Sequence, residues 1–194
     1  MDQSAEERST VSLILPLSKI NPERMTLSHD ERLSIKLATK DDLPLILAFI
    51  KELAEYERLA NEVVATEDIL AETLFGKRPS AEVVFANFDD QPVGYALFFH
   101  SFSTFLGRPG IYLEDLYVRP TMRGKGIGKA LLVHLAKLAM DRGCGRLEWA
   151  VLNWNESAIR FYKSLGAQPM DTWTVYRLAG NSLSELAAHS TRRG

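Results

Sequence analysis

Ile111-Tyr-Leu-Glu-Asp-Leu-Tyr-Val118 runs without a break into Arg119-Pro-Thr-Met-Arg-Gly-Lys-Gly-Ile-Gly-Lys129. The first part, dense in aromatic and β-branched residues, reads as a strand. The second reads as a glycine loop that opens a helix, because Ile127, Ala130, Leu131, Leu135 and Leu138 return at helical spacing from about Gly126 to Met140. The first N–H groups of a helix have no intrahelical acceptor, and the helix dipole makes that end electropositive. Gly124, Gly126 and Gly128 permit positive φ and a close approach by a bulky anion. Arg123, Lys125 and Lys129 surround the turn with charge. Together these features predict a diphosphate cradle.

Two familiar phosphate loops do not fit. A Walker loop requires glycine at position 123 and serine or threonine at 130, where Arg123 and Ala130 stand. A dinucleotide fingerprint is G-x-G-x-x-G, whereas the spacing here is G-x-G-x-G, and no following strand ends in an acid placed for a ribose. From the loop alone, a ligand-free glycine turn stays open as the plain alternative.

Outward from the loop, the pattern alternates short strands and helices. Leu33 to Ala38 reads as a strand, and Thr39 with Asp42 as a capping box. Leu43, Ile46, Leu47, Ile50 and Ala54 mark one helical face, and Thr66 begins a second helix that ends near Gly76. Ala81 to Phe88 and Val93 to Ser101 predict a hairpin around Asp89-Asp90-Gln91-Pro92. Leu147 to Leu152 reads as a further strand, apolar enough to be central. Asn155 to Leu165 predicts a helix closed by Gly166, Thr172 to Leu178 a last strand, and Ser182 to Ala188 a short helix. The expected fold class is α/β: a mixed, mostly antiparallel central sheet with helices on both faces. The expected organisation is a partly ordered extension over 1–31, one domain over 32–180, and a short C-terminal helix and tail over 181–194.

Composition narrows the function. The chain has 194 residues, 46% hydrophobic and 25% charged, with a net charge of −2. Such a balance gives no basic field for nucleic acid or anionic lipid, so neither is expected as a partner. The apolar run Val11–Leu17 is too short to span a bilayer, and the acidic Asp2, Glu6 and Glu7 before it oppose a signal peptide's charge pattern. Met25 offers an alternative start of translation. A single cysteine, Cys144, precludes an intrachain disulfide and suits a reducing cytoplasmic setting. The four histidines show no ligand spacing, so no metal site is expected.

Arg123-x-x-Gly126-x-Gly128 resembles the R-x-x-G-x-G/A signature of the GNAT acetyltransferase superfamily, whose loop binds the diphosphate of coenzyme A. Lys51-Glu-Leu-Ala-Glu-Tyr-Glu57, Tyr112-Leu-Glu-Asp115, Trp154-Asn-Glu156 and Phe161-Tyr-Lys163 followed by Leu-Gly-Ala167 are similar, in order and interval, to the spermidine/spermine (diamine) acetyltransferase branch. Ser103-Thr104, Gly143-Cys144 and Ala150-Val-Leu-Asn-Trp-Asn155 look more like the thialysine Nε-acetyltransferase type. Thr104 stands where spermidine enzymes of this kind tend to carry aspartate, which shifts the expectation away from multiply charged polyamines.

The resemblance implies acetyl-coenzyme A as cosubstrate, a primary amine of a small molecule as acceptor, and a homodimer. It implies that Glu114 is the base that deprotonates the amine and Tyr162 the acid that protonates the departing thiolate. It implies that Leu116, Tyr117 and Val118 line the pantetheine arm, that the loop of Arg123, Gly124, Lys125, Gly126, Ile127, Gly128 and Lys129 holds the diphosphate, and that Asn155 and Ser157 assist. Tyr56, Glu57, Asp115, Asp171 and Trp173 match acceptor-binding positions. In a regular strand Asp115 would point away from Glu114, and a bulge would alter that. Structural alternatives stand beside each role: Glu114-Asp115 as a solvated strand end, Tyr162 as a packed aromatic, Asn155 as an N-cap, Trp173 as core. A protein-amine acetyltransferase and a non-catalytic acyl-coenzyme-A sensor are the competing functions.

Overall fold

The computed structural model describes residues 31–189. The extension, the apolar run Val11–Leu17 and the start at Met25 lie outside the described residues, as do residues 190–194. The described chain divides into two compact units, one ending at Glu148 and the other beginning at Trp149.

In the first unit β1 (Leu33–Leu37) leads through a short 3-10 turn (Lys40–Asp42) into α1 (Leu43–Glu57). The Thr39–Asp42 capping box forms, with the Thr39 N–H donating to Asp42 Oδ2 at 2.7 Å. Pro44 is accommodated in the first turn of α1, where an N–H has no intrahelical partner to lose. α2 (Glu67–Phe75) is capped by Thr66, whose hydroxyl accepts from the Ile69 N–H. β2 (Glu82–Phe88), β3 (Gln91–Ser103) and β4 (Arg108–Val118) follow, then α3 (Ile127–Asp141). β5 (Leu147–Trp149) closes the sheet order β1-β2-β3-β4-β5, and the β1–β2, β2–β3 and β3–β4 pairings are antiparallel.

Both faces of this sheet are covered. Val83, Phe85, Tyr95 and Tyr117 pack with Leu43, Ile46, Phe49 and Leu53 of α1 and Leu70 and Leu74 of α2. By register, Val84, Ala96, Phe98 and Leu113 lie on the opposite face, against which α3 packs. There α3 buries Ile127, Leu131, Leu132, Leu135 and Ala139. The buried stripe of α1 differs from the expected one. Phe49 and Leu53 are central to it, because Phe49 stacks on Tyr95 at 5.2 Å, while Leu47 and Ile50 pack at its margin.

Three other expectations need correction. The β2–β3 turn is tighter than the sequence suggested: Asp89 and Asp90 both take positive φ (50° and 58°), and Gln91 and Pro92 already belong to β3. That is the geometry of a two-residue hairpin turn. Leu147 to Leu152 is not a central strand. It is ordered as a strand only over Leu147–Trp149 and sits at the end of the strand order.

The second unit holds α4 (Glu156–Ser164) and α5 (Gly180–Ala188). α4 is capped by Leu165 and followed by Gly166 at φ 88°, the left-handed residue expected to close it. Thr172 to Leu178, expected as a strand, joins no ladder in the described structure, and Tyr176 is 92% exposed. Alternation supplies a strand with a face, but a strand without hydrogen-bonding neighbours is not held.

Candidate active site

The strand β4 carries an irregularity at the position that matters most. Leu97 pairs with Asp115 and Phe98 pairs with Leu113, so Glu114 is an extra residue with no opposite number in β3. A bulge of this kind shifts the side-chain alternation by one position. Leu113 therefore lies on the α3 face, while Asp115 and Tyr117, paired with Leu97 and Tyr95, lie on the α1 face. Glu114 is exposed and Asp115 is half-buried.

Asp115 is held by a residue that the sequence reading passed over. The Tyr95 hydroxyl donates to Asp115 Oδ2 at 2.6 Å, and the Tyr95 ring is fully buried against Phe49. Burial pushes the Asp115 carboxyl up from the ordinary range, against the Tyr95 hydrogen bond, which pulls it down; Glu114 adds a further push upward. Glu57, at the last turn of α1, is likewise raised, by burial first and then by the charge of Asp115. Asp115 raises the proton affinity of Glu57, and the two carboxyls form a region of negative potential suited to a cation. Tyr95 was legible only as a phenol in an otherwise apolar run, Val93-Gly-Tyr-Ala-Leu-Phe-Phe99. Buried tyrosine hydroxyls need a partner, and that signal pointed to one.

Next to these acids stands the loop. The Arg123 Nε–H donates to the Val118 carbonyl at 2.9 Å, and its guanidinium lies 4.3 Å from the Tyr56 ring centroid and 5.6 Å from that of Tyr117. This cation–π arrangement draws Tyr56 of α1, Tyr117 of β4 and Arg123 of the loop together. Gly124 and Gly126 take φ values of 77° and 80°, and a Cβ built on either would meet nothing within 4 Å. The open space above them is what close approach by a phosphate requires. The first intrahelical bond at this end of α3 runs from the Ala130 N–H to the Gly126 carbonyl. The N–H groups of Ile127, Gly128 and Lys129 therefore lack an acceptor within α3. Nearby, Arg119 pairs with Glu52 of α1 at 2.8 Å and donates to the Pro92 carbonyl, tying α1 to the end of β4.

The remaining sequence-derived residues belong to the second unit. Tyr162 on α4 is half-buried, with its ring 5.1 Å from Trp149 in a T-shaped contact and 5.4 Å from Phe161. The Asn155 side chain accepts from the Ala158 N–H and so caps α4, as its structural alternative anticipated; Ser157 is exposed in the first turn. Asp171 is exposed, and Trp173 is 68% exposed rather than core. The first unit thus gathers Tyr56, Glu57, Asp115, Tyr117 and Arg123 into one neighbourhood. Among the described residues no cluster of His, Cys, Asp and Glu is arranged to hold a metal, and no helix is long and apolar enough to cross a membrane.

Comparison with known proteins shows which family the chain is similar to. The family model described as acetyltransferase (GNAT) family matches residues 47–167. A thialysine N-epsilon-acetyltransferase of Bos taurus is 42% identical, over 79% of this chain and 96% of its own. An L-ornithine N5-acetyltransferase of Arabidopsis thaliana is 33% identical, over 85% of this chain and 92% of its own. Among solved structures, an integron cassette protein from the mobile metagenome of V. cholerae superposes with a TM-score of 0.70 at 31% identity, covering 81% of this chain and 99% of that one.

Proposed function

The chain belongs to the acetyltransferase (GNAT) family, and from that premise we propose that it transfers acetyl from acetyl-coenzyme A to the terminal amine of a lysine-like amino acid or small diamine. The observation that carries this reading is the adjacency of two things within one unit: an anion-ready loop at the mouth of α3, and the Glu57–Asp115 acidic neighbourhood beside it. The first suits the diphosphate of a coenzyme, the second a cationic acceptor. The relatives' names point the same way, since thialysine and ornithine both end in a primary amine on a short flexible chain.

Arg123, Lys125 and Lys129, with the N–H groups of residues 124–129, would hold the diphosphate, and the backbone of Leu116–Val118 would run beside the pantetheine arm. A primary ammonium has a pKa of about 10.4, so it must lose a proton before it can attack. Glu114, exposed at the bulge, is suited to take that proton, directly or through water. The Leu116 N–H, just past the bulge, is the proposed donor to the oxygen that gains charge during attack. Tyr162 is the proposed donor of a proton to the departing sulfur, with Asn155 and Ser157 assisting along the arm. Tyr56, Glu57 and Asp115, with Asp171 and Trp173 of the second unit, are proposed for the acceptor.

Direct transfer between the two bound substrates is the simplest course. Family resemblance also supports a homodimer, and the single cysteine is in keeping with a cytoplasmic setting. The test is a thiol-release assay with acetyl-coenzyme A and a panel of thialysine, lysine, ornithine, putrescine, spermidine and a lysine-containing peptide. Turnover greatest with thialysine, lysine or ornithine supports the reading. Preference for the peptide would assign a protein acceptor instead, and no turnover with any amine would leave a coenzyme-binding protein.

A further inference from the structure

We propose that Tyr95 is a positioning residue for acceptor binding: its buried hydroxyl fixes one oxygen of Asp115, so that the other is presented as a single, oriented acceptor for the substrate ammonium. This inference rests on the functional reading above and adds to it a residue that does not itself touch substrate.

The geometry is specific. Tyr95 lies in β3 opposite Tyr117, and its ring is locked by stacking on Phe49 of α1 with an interplanar angle of 16°. The phenol therefore has little freedom to leave Asp115, whose Oδ2 it meets at 2.6 Å. Asp115 reaches this face only because the bulge at Glu114 reverses the alternation of β4. An exposed carboxylate turns freely about its last torsion, whereas one tied at a single oxygen offers a fixed direction to its partner. A charge-assisted hydrogen bond from a buried donor also holds the carboxylate ionised in surroundings that oppose the charge.

The groups facing Asp115 from each neighbouring element set the balance. Tyr95 from β3 favours the ionised form, Glu114 on its own strand opposes it, and the charge of Glu57 from α1 interacts with it. Tyr117, beside Tyr95, is coupled in turn to Glu52, Arg119 and Arg123. Without the Tyr95 hydroxyl, Asp115 would hold its proton to higher pH and lose its fixed aim.

The experiment compares wild type with Tyr95→Phe, which keeps the stacked ring and removes only the hydroxyl. Carboxyl NMR follows the titration of Asp115, its resonance assigned with Asp115→Asn, while steady-state kinetics use thialysine as the acceptor probe. In Y95F the Asp115 titration moves to higher pH and the KM for thialysine rises by about tenfold, as loss of a hydrogen bond to a charged group does. The KM for acetyl-coenzyme A stays as in wild type. In the Asp115→Asn background, Tyr95→Phe adds no further rise in thialysine KM, which a general packing role would not produce. If Y95F folds poorly, 3-fluorotyrosine at position 95, a stronger donor of nearly the same volume, must move the Asp115 titration to lower pH. An Asp115 titration that does not move in Y95F overturns the inference and leaves the functional reading standing. A wild type that acetylates no amine overturns the functional reading, and with it the proposed purpose of the pair, even where the titration moves.

Discussion

Asp115 is an ionisable side chain kept where its charge is costly, and its stability consequence has a definite sign. Its folded-state pKa is raised, chiefly by burial. A raised carboxyl favours the fold while protonated, below the ordinary carboxylate range, and that contribution is lost as pH rises through the folded value. At neutral pH ionised Asp115 therefore weighs against the fold. Asp115→Asn, whose amide oxygen can still accept from Tyr95, should raise Tm at pH 7, a difference that shrinks as pH falls through the carboxylate range. The same change should weaken acceptor binding. Thermal melts at pH 7 and pH 4 check both the sign and the window. Tyr162 is predicted to behave differently. Tyr162→Phe should lower kcat by about 100-fold or more with coenzyme binding retained, as expected for loss of a general acid; stopped turnover together with lost coenzyme binding would mean the ring packs and does not protonate.

At the scale of elements, the loop before α3 and the β2–β3 turn make opposite predictions about glycine. Gly126 sits at φ 80° as the N-cap of α3, and Gly107 sits at φ 59° in the β3–β4 turn; a Cβ on either meets nothing within 4 Å. Alanine at either position should cost about 1 kcal/mol, because the left-handed backbone is strained for an L side chain. Only Gly126→Ala should also reduce affinity for acetyl-coenzyme A, since only there does the backbone face the proposed diphosphate; denaturant melts and calorimetry on the two variants separate the effects. Conversely, Asp90 holds φ 58° without being glycine, and its ion pair with Lys36 is long, 3.8 Å, and solvated. Asp90→Gly should stabilise the hairpin by about 0.5–1 kcal/mol, read from the midpoint of a urea melt.

Most elements and the loop were legible in the sequence because their signals are local: caps at Thr39 and Thr66, glycines at 124, 126 and 166, and the helical return of Leu131 and Leu135. What was missed depends on distant partners. The bulge at Glu114 was open in the sequence because it is fixed by the register of β3, and the Tyr95 phenol signalled a need for some partner without naming Asp115, which lies 20 positions away. The alternation of Thr172 to Leu178 suggested a strand, but pairing is a property of neighbours and not of the segment. Phe49 displaced Ile50 from the α1 core stripe for the same reason, since its place is set by the Tyr95 ring.

For the molecule as a whole, the central claim is that the loop from Arg123 to Lys129 grips the diphosphate of an acyl carrier. The most direct measurement is calorimetric titration of wild type and Arg123→Ala with acetyl-coenzyme A, set beside S-acetylpantetheine, which has the thioester arm and no diphosphate. Wild type should bind acetyl-coenzyme A far more tightly than the truncated thioester, and Arg123→Ala should lose about 10-fold or more of that affinity, the worth of one charged hydrogen bond. Equal affinity for the two thioesters, or an Arg123→Ala variant that binds acetyl-coenzyme A as wild type does, would contradict the account.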